Sequence, residues 1–309
     1  MCFIMQGRKW GKLRINKSPS NIGIYASMIR LIEELSLMGY GYSFDVVGDM
    51  AIESVLCNLR SSKERVAKNN GGATPKQLSR IKSLTFMRGI SSLDMVYSPT
   101  TSIPNIPTMA ELKGVLSDAI KRVNDDYKVE IFRDYNNGKP AGFNIKHSKR
   151  PDLNFKVNIS LHKRTFKSYC EHTPFNNIMF RCEEPTSLAL EKISALSGDT
   201  SIIKAKDLLD LYQLSQLGCY RTKDFVILLS VCDFNLSPLG NFSIFKKHKG
   251  TLKSAYEKLE INPIDNSVQK PPFEEVYNRV SRFIELFMSG EYKENNYYWK
   301  PIDVKWEKW

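Results

Sequence analysis

Two polar positions in one apolar run have the types and spacing that phosphate chemistry uses. Ser92 and Asp94 alternate with Leu93 and Met95, so on a β-strand the two polar side chains would face one side and the apolar pair would face the core. Carboxylates on a strand face can hold Mg²⁺ against a triphosphate. A lone aspartate on a strand is more often an exposed polar residue, so this pair indicates the chemistry without establishing it.

A glycine further upstream could bind the phosphates. Gly48 follows the short predicted strand 44–47, which is apolar except for Asp45, and precedes a helical pattern. The backbone N–H groups at a helix N-terminus bind phosphate. The pair Gly71-Gly72 lies nearer to Ser92 and could be the true glycine motif. We favour Gly48 because a buried strand is predicted before it, whereas a polar loop is predicted before Gly71.

A second set of charged residues lies downstream on two helical patterns. Lys192 lies on the edge of the amphipathic pattern 188–196, and Asp207 and Asp210 are three residues apart, so they share a helix face. A lysine delivers a point charge to phosphates. A helical hairpin with surface salt bridges would show the same periodicity, so spacing alone does not separate the two interpretations.

Positive charge is concentrated in the middle of the chain. The net charge is +12, and residues 139–167 contain eight basic residues and one acid. Such a surface attracts phosphates without reading sequence, although a merely solvated basic surface has the same composition. The predicted RNA-binding residues are Lys146, Lys149, Arg150, Lys163 and Arg164.

Length and composition are those of a two-domain globular protein. The chain has 309 residues, of which 42% are hydrophobic and 25% charged. An apolar run of about 18 residues is absent, so we expect no membrane span. The apolar start is too short for a signal-peptide core, which predicts a cytoplasmic protein. The six cysteines form no Cys-x-x-Cys pair and the four histidines have no metal-ligand spacing.

The elements that must position these residues divide the chain near residue 184. We predict an α/β domain over 1–184 and a helical domain with an aromatic tail over 185–309, an α+β fold with a mixed sheet in its first half. The predicted strands of the first half are 44–47, 90–97, 127–133, 142–147, 155–161 and, as the last one, 178–182. The predicted helices are 18–36, 51–59, 109–126, 188–196, 203–217, 222–232, 252–259 and 273–288.

The downstream charged block resembles a known family. The run Leu188-x-x-Glu191-Lys192, followed by Lys206-Asp207-x-x-Asp210-Leu211-Tyr212, resembles the Glu-Lys…Lys-Asp-x-x-Asp-Leu block of the AbiEii/AbiGii abortive-infection toxins, to which the mycobacterial MenT toxins are related. Upstream, residues 44–51 resemble the family's strand and glycine motif. The run Arg88-x-x-x-Ser92-Leu93-Asp94-Met95 resembles its Arg-x-Ser/Thr-x-Asp-x-Asp motif. The resemblance covers roughly residues 20 to 217.

This resemblance implies a nucleotidyltransferase fold and a Mg²⁺-dependent enzyme that transfers NMP from an NTP to an RNA, such as the 3′ end of tRNA, or to a protein. It also implies an abortive-infection or toxin–antitoxin role in phage defence, with a cognate antitoxin as partner. By resemblance, Asp94, Lys192 and Asp207 are catalytic, and Asp94 binds the metal. The implied nucleotide-binding residues are Gly48, Asp49, Arg88, Ser92, Lys192, Lys206 and Asp210.

Three departures from the family pattern leave a second interpretation open. Ser92 stands where the first metal-binding aspartate is expected, Asn158 stands where the fold often places a third acid, and Asp49 replaces the second small residue after Gly48. The alternative is a catalytically degenerate protein of the same fold that binds nucleotide, RNA or a partner protein. A DNA-binding protein of another fold is less well supported, because no helix-turn-helix or zinc-finger pattern is present.

Overall fold

The computed structural model describes residues 19–56, 90–99, 106–135, 139–161, 168–173, 176–197, 205–231, 242–261 and 270–309. The chain forms two compact units, one containing the described residues up to 183 and the other those from 184 onwards. Among the described residues, no helix is long and apolar enough to cross a membrane.

The first unit is built on a mixed seven-stranded sheet. Its strands are β1 (Phe44–Val47), β2 (Ser92–Tyr97), β3 (Tyr127–Arg133), β4 (Ala141–His147), β5 (Phe155–Ser160), β6 (Ser168–His172) and β7 (Met179–Glu183). They lie in the order β3-β4-β5-β2-β1-β7-β6. The pairs β2–β5 and β1–β7 are parallel, and the other pairs are antiparallel.

In the described part of the first unit, three helices accompany the sheet: α1 (Pro19–Leu35), α2 (residues 48–56) and α3 (Met109–Val123). A π-helical segment (Ser36–Tyr40) extends α1, and a 3₁₀ turn (Pro151–Leu153) precedes β5. Alternation along each strand separates two faces of the sheet. One face is apolar and includes Leu93 and Val157. It meets α1, because the hydroxyls of Ser27 and Tyr127 lie 2.8 Å apart. The opposite face carries polar, partly exposed side chains, and the candidate site lies there.

The second unit is mainly helical. Its helices are α4 (Pro185–Ser197), α5 (Ala205–Leu214), α6 (Thr222–Val231), α7 (Ser243–Lys247), α8 (Lys249–Lys258), α9 (Phe273–Phe283) and α10 (Glu285–Ser289). A 3₁₀ turn (Glu291–Lys293) leads into an antiparallel hairpin of β8 (Tyr297–Lys300) and β9 (Lys305–Lys308). Its facing residues Trp299 and Trp306 are buried, and both rings pack on Phe283 of α9.

The mixed α+β fold predicted from the sequence is confirmed, and several element boundaries were wrong. Strand β6 was not predicted, because only its pairing with β7 marks it as a strand. The strand near residue 182 is not the last one, since the aromatic tail pairs as β8–β9. The predicted helix 273–288 is two helices that meet at Ile284, whose ψ of 1° leaves the helical range. Helix α2 begins at residue 48 rather than 51, and α3 ends at Val123 rather than 126.

Candidate functional site

Asp94 lies at the centre of a hydrogen-bonded cluster on the polar face of the sheet. Its side chain and that of Ser92 are partly exposed, while Leu93 and Met95 are buried, as the alternation predicted. The Ser92 hydroxyl donates to Asp94 Oδ2 at 3.3 Å. Asn158 lies directly opposite Asp94 on β5, and its Nδ2 donates to Asp94 Oδ1 at 2.7 Å. Both carboxylate oxygens of Asp94 are therefore hydrogen-bonded by neighbouring side chains.

The N-terminus of α2 lies beside the same carboxylate. Val47, the last residue of β1, pairs with Asp94, and Gly48 begins α2 immediately afterwards. Gly48 has a φ of +64°, and a β-carbon there would lie 3.7 Å from Asp94 Oδ2. A left-handed φ favours glycine, so the residue allows the sharp turn from strand to helix. Asp49 follows in the first turn of α2. Backbone N–H groups at a helix start are donors suited to phosphate.

Arg133 is a member of the cluster that was not predicted from the sequence. Its Nε donates to the carbonyl oxygen of Pro140 at 2.7 Å, and its terminal nitrogen donates to Asn158 Oδ1 at 2.9 Å. Asn158 thus links a guanidinium to the Asp94 carboxylate. The only signal in the sequence is a basic residue at the end of a predicted strand, and this signal is too common to single it out.

The donor set near Asp94 fits one magnesium ion rather than two. Mg²⁺ prefers hard oxygen ligands and usually takes one or two carboxylates together with substrate phosphates and water. Asp94 supplies one carboxylate and Ser92 a hydroxyl oxygen. Asn158 turns its amide nitrogen towards Asp94 and its oxygen towards Arg133. In the parts of the chain that the structure describes, no group of three or more His, Cys, Asp or Glu residues could hold a metal.

The second unit contains a buried cluster of one lysine and two aspartates. Lys192 Nζ of α4 lies 2.9 Å from Asp207 Oδ1 and 3.0 Å from Asp210 Oδ2, both on α5. The side-chain exposures of Lys192, Asp207 and Asp210 are 13%, 14% and 0%. The downstream motif therefore holds its ammonium between the two carboxylates predicted to share a helix face. Lys206 lies beside Asp207 and is partly exposed.

The charge state of Lys192 follows from its surroundings. Burial of the ammonium lowers its pKa, but the negative charges of Asp210 and then Asp207 raise it by more, so the net pKa of Lys192 is raised. Lys192 therefore stays protonated at neutral pH. With two carboxylates and one ammonium, the cluster carries a formal charge of −1.

Each of the predicted RNA-binding residues that the structure describes has an acidic neighbour. Lys146 on β4 pairs with Glu130 on β3, Lys149 pairs with Asp126 at 3.0 Å, and Arg150 pairs with Asp152 through two nitrogens. Hydrogen bonds from the cations are the main reason that the pKa values of Asp126 and Asp152 are lowered. Four predictions fall outside the described residues: Arg88, Lys163, Arg164 and the alternative motif Gly71-Gly72.

Comparisons with known proteins agree with this architecture. A profile described as nucleotidyl transferase AbiEii toxin, type IV TA system, matches residues 93–282. A crystal structure from H. pylori, described as a nucleotidyltransferase, is similar to the chain with a TM-score of 0.50 and 16% identity, over 89% of this chain and 98% of that one. The chain therefore shares that protein's fold. The MenT4 nucleotidyltransferase toxin of Mycobacterium tuberculosis H37Rv has a TM-score of 0.39 and 11% identity, over 65% of this chain and 61% of that one. No curated protein matches significantly.

Proposed function

Because the chain belongs to the nucleotidyl transferase AbiEii toxin family of type IV toxin–antitoxin systems, we propose that it transfers NMP from an NTP to an RNA acceptor. The observation that carries the proposal is the position of Asp94. Its carboxylate lies beside the N-terminus of α2 and accepts hydrogen bonds from Ser92 and Asn158. A carboxylate that could bind Mg²⁺, and through it a phosphate, would therefore lie next to N–H groups that could bind phosphate directly.

The reaction is a substitution at the α-phosphorus of the NTP. An acceptor hydroxyl oxygen forms a bond to that phosphorus, the bond from the phosphorus to the bridging oxygen of the β-phosphate breaks, and pyrophosphate leaves. The hydroxyl proton passes to a water molecule. Catalysis of this type consists mainly of positioning and charge stabilisation. The fixed elements β2, β5 and the start of α2 supply that positioning.

Asp94 and Ser92 are the residues that would hold a single Mg²⁺. When bound, the ion neutralises negative charge on the phosphates of the substrate. Asn158 keeps the Asp94 carboxylate in place, and Arg133 keeps Asn158 in place. Asp49 is a further carboxylate in the first turn of α2, and we propose it for nucleotide binding together with Gly48.

Lys192 is proposed as a phosphate-binding residue because it is the lysine of the family motif. It is a protonated amine held at 2.9 and 3.0 Å from two carboxylates, so its position is fixed. Asp207 is proposed to orient the ammonium and assist the transfer, and the fully buried Asp210 holds the ammonium at 3.0 Å. Lys206, next to Asp207, is proposed as a further nucleotide contact. These roles follow the family motif that the sequence carries.

The acceptor and the setting of the reaction are part of the proposal. The basic residues Lys146, Lys149 and Arg150, with Lys163 and Arg164, are proposed to attract RNA, for which the 3′ end of tRNA is the first candidate. A cognate antitoxin follows from the family. A cytoplasmic location and a role in phage defence remain predictions from the sequence.

Transfer of radiolabelled nucleotide tests the proposal. The full chain is incubated with Mg²⁺, each of the four NTPs in turn, and either total tRNA or a protein mixture. We expect label in tRNA, lost in Asp94→Ala and Lys192→Ala and retained in the surface controls Asp118→Ala and Lys253→Ala. Label in protein would replace the RNA acceptor, and no label with any acceptor would sink the enzymatic proposal.

The absence of a carboxylate at Ser92 supports a second candidate function. A protein of this fold with one carboxylate could bind nucleotide or RNA without transferring it. The substitution Ser92→Asp restores the family pattern beside Asp94, and it should lower the Mg²⁺ concentration needed for half-maximal transfer by about tenfold if the site is active. Calorimetric binding of an NTP to the wild type, with no transfer in either protein, would favour the binding function.

A further inference from the structure

An aromatic side chain lies on the polar face of the sheet on the far side of Asp94 from α2. Phe132 of β3 is 41% exposed. The register of β3 against β4 shifts between Ile131 and Arg133, so Phe132 is the extra residue of a β-bulge. A bulge redirects a side chain from the regular alternation. Here it brings Phe132 onto the same face as Arg133, which the pairing of Arg133 with Gly142 places on the Asp94 side.

The Phe132 ring packs against residue 142 at a distance that only glycine allows. A β-carbon on Gly142 would lie 2.5 Å from Cζ of Phe132 and 2.8 Å from both Cε atoms. The tip of the ring therefore rests directly on the backbone of β4. Gly142 has no positive φ, so its role here is to leave space for the ring. The position of the ring is fixed by packing, while part of its surface stays open to solvent.

Two cations flank the ring. The Arg133 guanidinium carbon lies 5.3 Å from the ring centroid, and Lys156 Nζ lies 5.5 Å from it. Both distances are within the range of cation–π attraction. Lys156 is exposed on β5, two residues before Asn158. An exposed aromatic ring with adjacent cations is the combination that binds single-stranded nucleic acid, in which bases stack and phosphates bind the cations.

The ring and Asp94 belong to one row across the sheet. Gly142 pairs with Asn158, and Asn158 pairs with Asp94. Two strand spacings separate Gly142 from Asp94, which is about 10 Å. The N-terminus of α2, proposed for the phosphates of the NTP, lies on the other side of Asp94, because β1 and β5 flank β2 on opposite sides. A ligand on Phe132 therefore approaches Asp94 from the side opposite to the NTP phosphates.

We propose that Phe132, seated on Gly142 and flanked by Arg133 and Lys156, is a stacking platform for an unpaired base of the RNA acceptor. This inference deepens the proposed function and rests on it for the identity of the acceptor. The platform holds a base near the acceptor's reactive end, while Arg133 and Lys156 contact the phosphate backbone. It reads no particular sequence, since every base has a stacking face.

Binding of RNA without NTP tests the platform independently of catalysis. A fluorescently labelled single-stranded RNA of about ten nucleotides is titrated into the full chain. We expect Phe132→Leu to weaken binding about tenfold, and Phe132→Tyr to bind like the wild type. The matched control is Ile131→Ala, because Ile131 is the adjacent residue and is 42% exposed. It should change the affinity by less than about twofold. Equal losses in Phe132→Leu and Ile131→Ala would overturn the platform.

Two further measurements separate stacking from charge. Removing all of the bases from the RNA should abolish the effect of Phe132→Leu, since the coupling requires both the ring and a base. Lys156→Gln should reduce the dependence of log affinity on log salt by about 0.7, whereas Phe132→Leu should leave that slope unchanged. If Phe132→Leu weakens binding of the fully abasic RNA as much as binding of the intact RNA, the platform is wrong.

Steady-state kinetics distinguish the acceptor from the NTP and the platform from the proposed function. Phe132→Leu should raise KM for the RNA and leave KM for the NTP unchanged. The reverse pattern would place the base of the NTP on the ring and overturn the acceptor assignment. RNA binding that depends on Phe132 without any transfer would uphold the platform and refute the nucleotidyltransferase. If Phe132→Leu transfers nucleotide with wild-type kinetics, or if the wild type binds no RNA, the platform is refuted.

Discussion

Replacing Lys192 with methionine should destabilise the α4–α5 hairpin by about 3–5 kcal/mol at neutral pH. Methionine keeps most of the volume of the side chain and removes its charge. The two carboxylates that remain lie in a site where the exposures are 14% for Asp207 and 0% for Asp210. They would then repel each other with no cation between them. Breaking a buried pair by removing one partner is costly because it leaves charge buried and uncompensated.

The substitution Asp210→Asn should cost less, about 1–3 kcal/mol. It loses one charge-assisted contact of 3.0 Å but leaves Lys192 and Asp207 as a neutral pair at 2.9 Å. In the double variant Lys192→Met/Asp210→Asn a single carboxylate remains. This double variant should therefore be more stable than Lys192→Met alone. The reversal is specific to a cluster with one ammonium and two carboxylates.

The pH dependence has a defined sign. The pKa of Lys192 is raised on folding, so its contribution is fully present below the unfolded value of about 10.4 and is lost only as the pH rises through the folded value. The wild-type cluster is thus constant through neutral pH. The cost of Lys192→Met should therefore be constant through neutral pH. It should shrink only as the pH rises through the folded pKa of Lys192, where the wild type loses the same charge.

Hydrogen–deuterium exchange measures these effects locally, without assuming that the two units unfold together. Peptides from 185–197 and 205–214 should lose protection in Lys192→Met at pH 7 and regain part of it in the double variant. Lys253→Met on the exposed face of α8 is the matched control. Unchanged protection in Lys192→Met at neutral pH, or a double variant less protected than the single one, would show that the three charges are not coupled as described.

Four further substitutions test local features by urea unfolding. Gly48→Ala should lower the free energy of unfolding by about 1–2 kcal/mol because of its φ of +64°. Gly114→Ala in the exposed interior of α3 should instead raise it by about 0.5–1 kcal/mol. A change of the same sign in both variants would contradict the role given to the positive φ of Gly48. Thr108→Ala removes the capping box of α3 and should cost about 1 kcal/mol. Hydrogen bonds from Thr108 lower the pKa of Glu111. The contribution of the Glu111 carboxylate to stability is therefore present above about pH 4.3 and disappears as the pH falls through the folded pKa. An effect of Thr108→Ala that does not change with pH would contradict this coupling. Trp299→Phe removes one of two donors to the Ser215 carbonyl, at 2.7 Å, while Arg279 still donates to it at 2.9 Å. It should therefore cost only about 0.5–1.5 kcal/mol, and a larger loss would show that Arg279 does not satisfy the carbonyl.

Local periodicity predicted the parts of the site that depend on neighbours in sequence. The alternation from Ser92 to Met95 gave the correct faces of β2, and the spacing of Asp207 and Asp210 gave the helix face that meets Lys192. Both results follow from the fixed repeat of a strand or a helix. The buried strand before Gly48 was likewise predicted, from three apolar residues among its four.

Features that depend on long-range pairing were not predictable from the sequence. Arg133 enters the Asp94 cluster only because β4 lies between β3 and β5 and because β3 has a bulge. Strand β6 has no apolar repeat of its own and forms by pairing with β7. The aromatic tail is visible in the sequence, but its hairpin form depends on Trp299 facing Trp306. Register between distant segments is decided by the whole sheet, so single-segment patterns carry little information about it.

The two family positions that lack a carboxylate, Ser92 and Asn158, are both explained by hydrogen bonds to Asp94. The amide of Asn158 donates to Asp94 at 2.7 Å and accepts from Arg133 at 2.9 Å. An aspartate at 158 could accept from Arg133 but could not donate to Asp94, and the two carboxylates would face each other across adjacent strands. Such a pair requires a cation or a proton between its oxygens. With asparagine at 158 and serine at 92, both oxygens of Asp94 have donors from the protein itself. The cluster is therefore held in place by its own side chains, so a magnesium ion carried in by a nucleotide would meet a carboxylate that is already oriented.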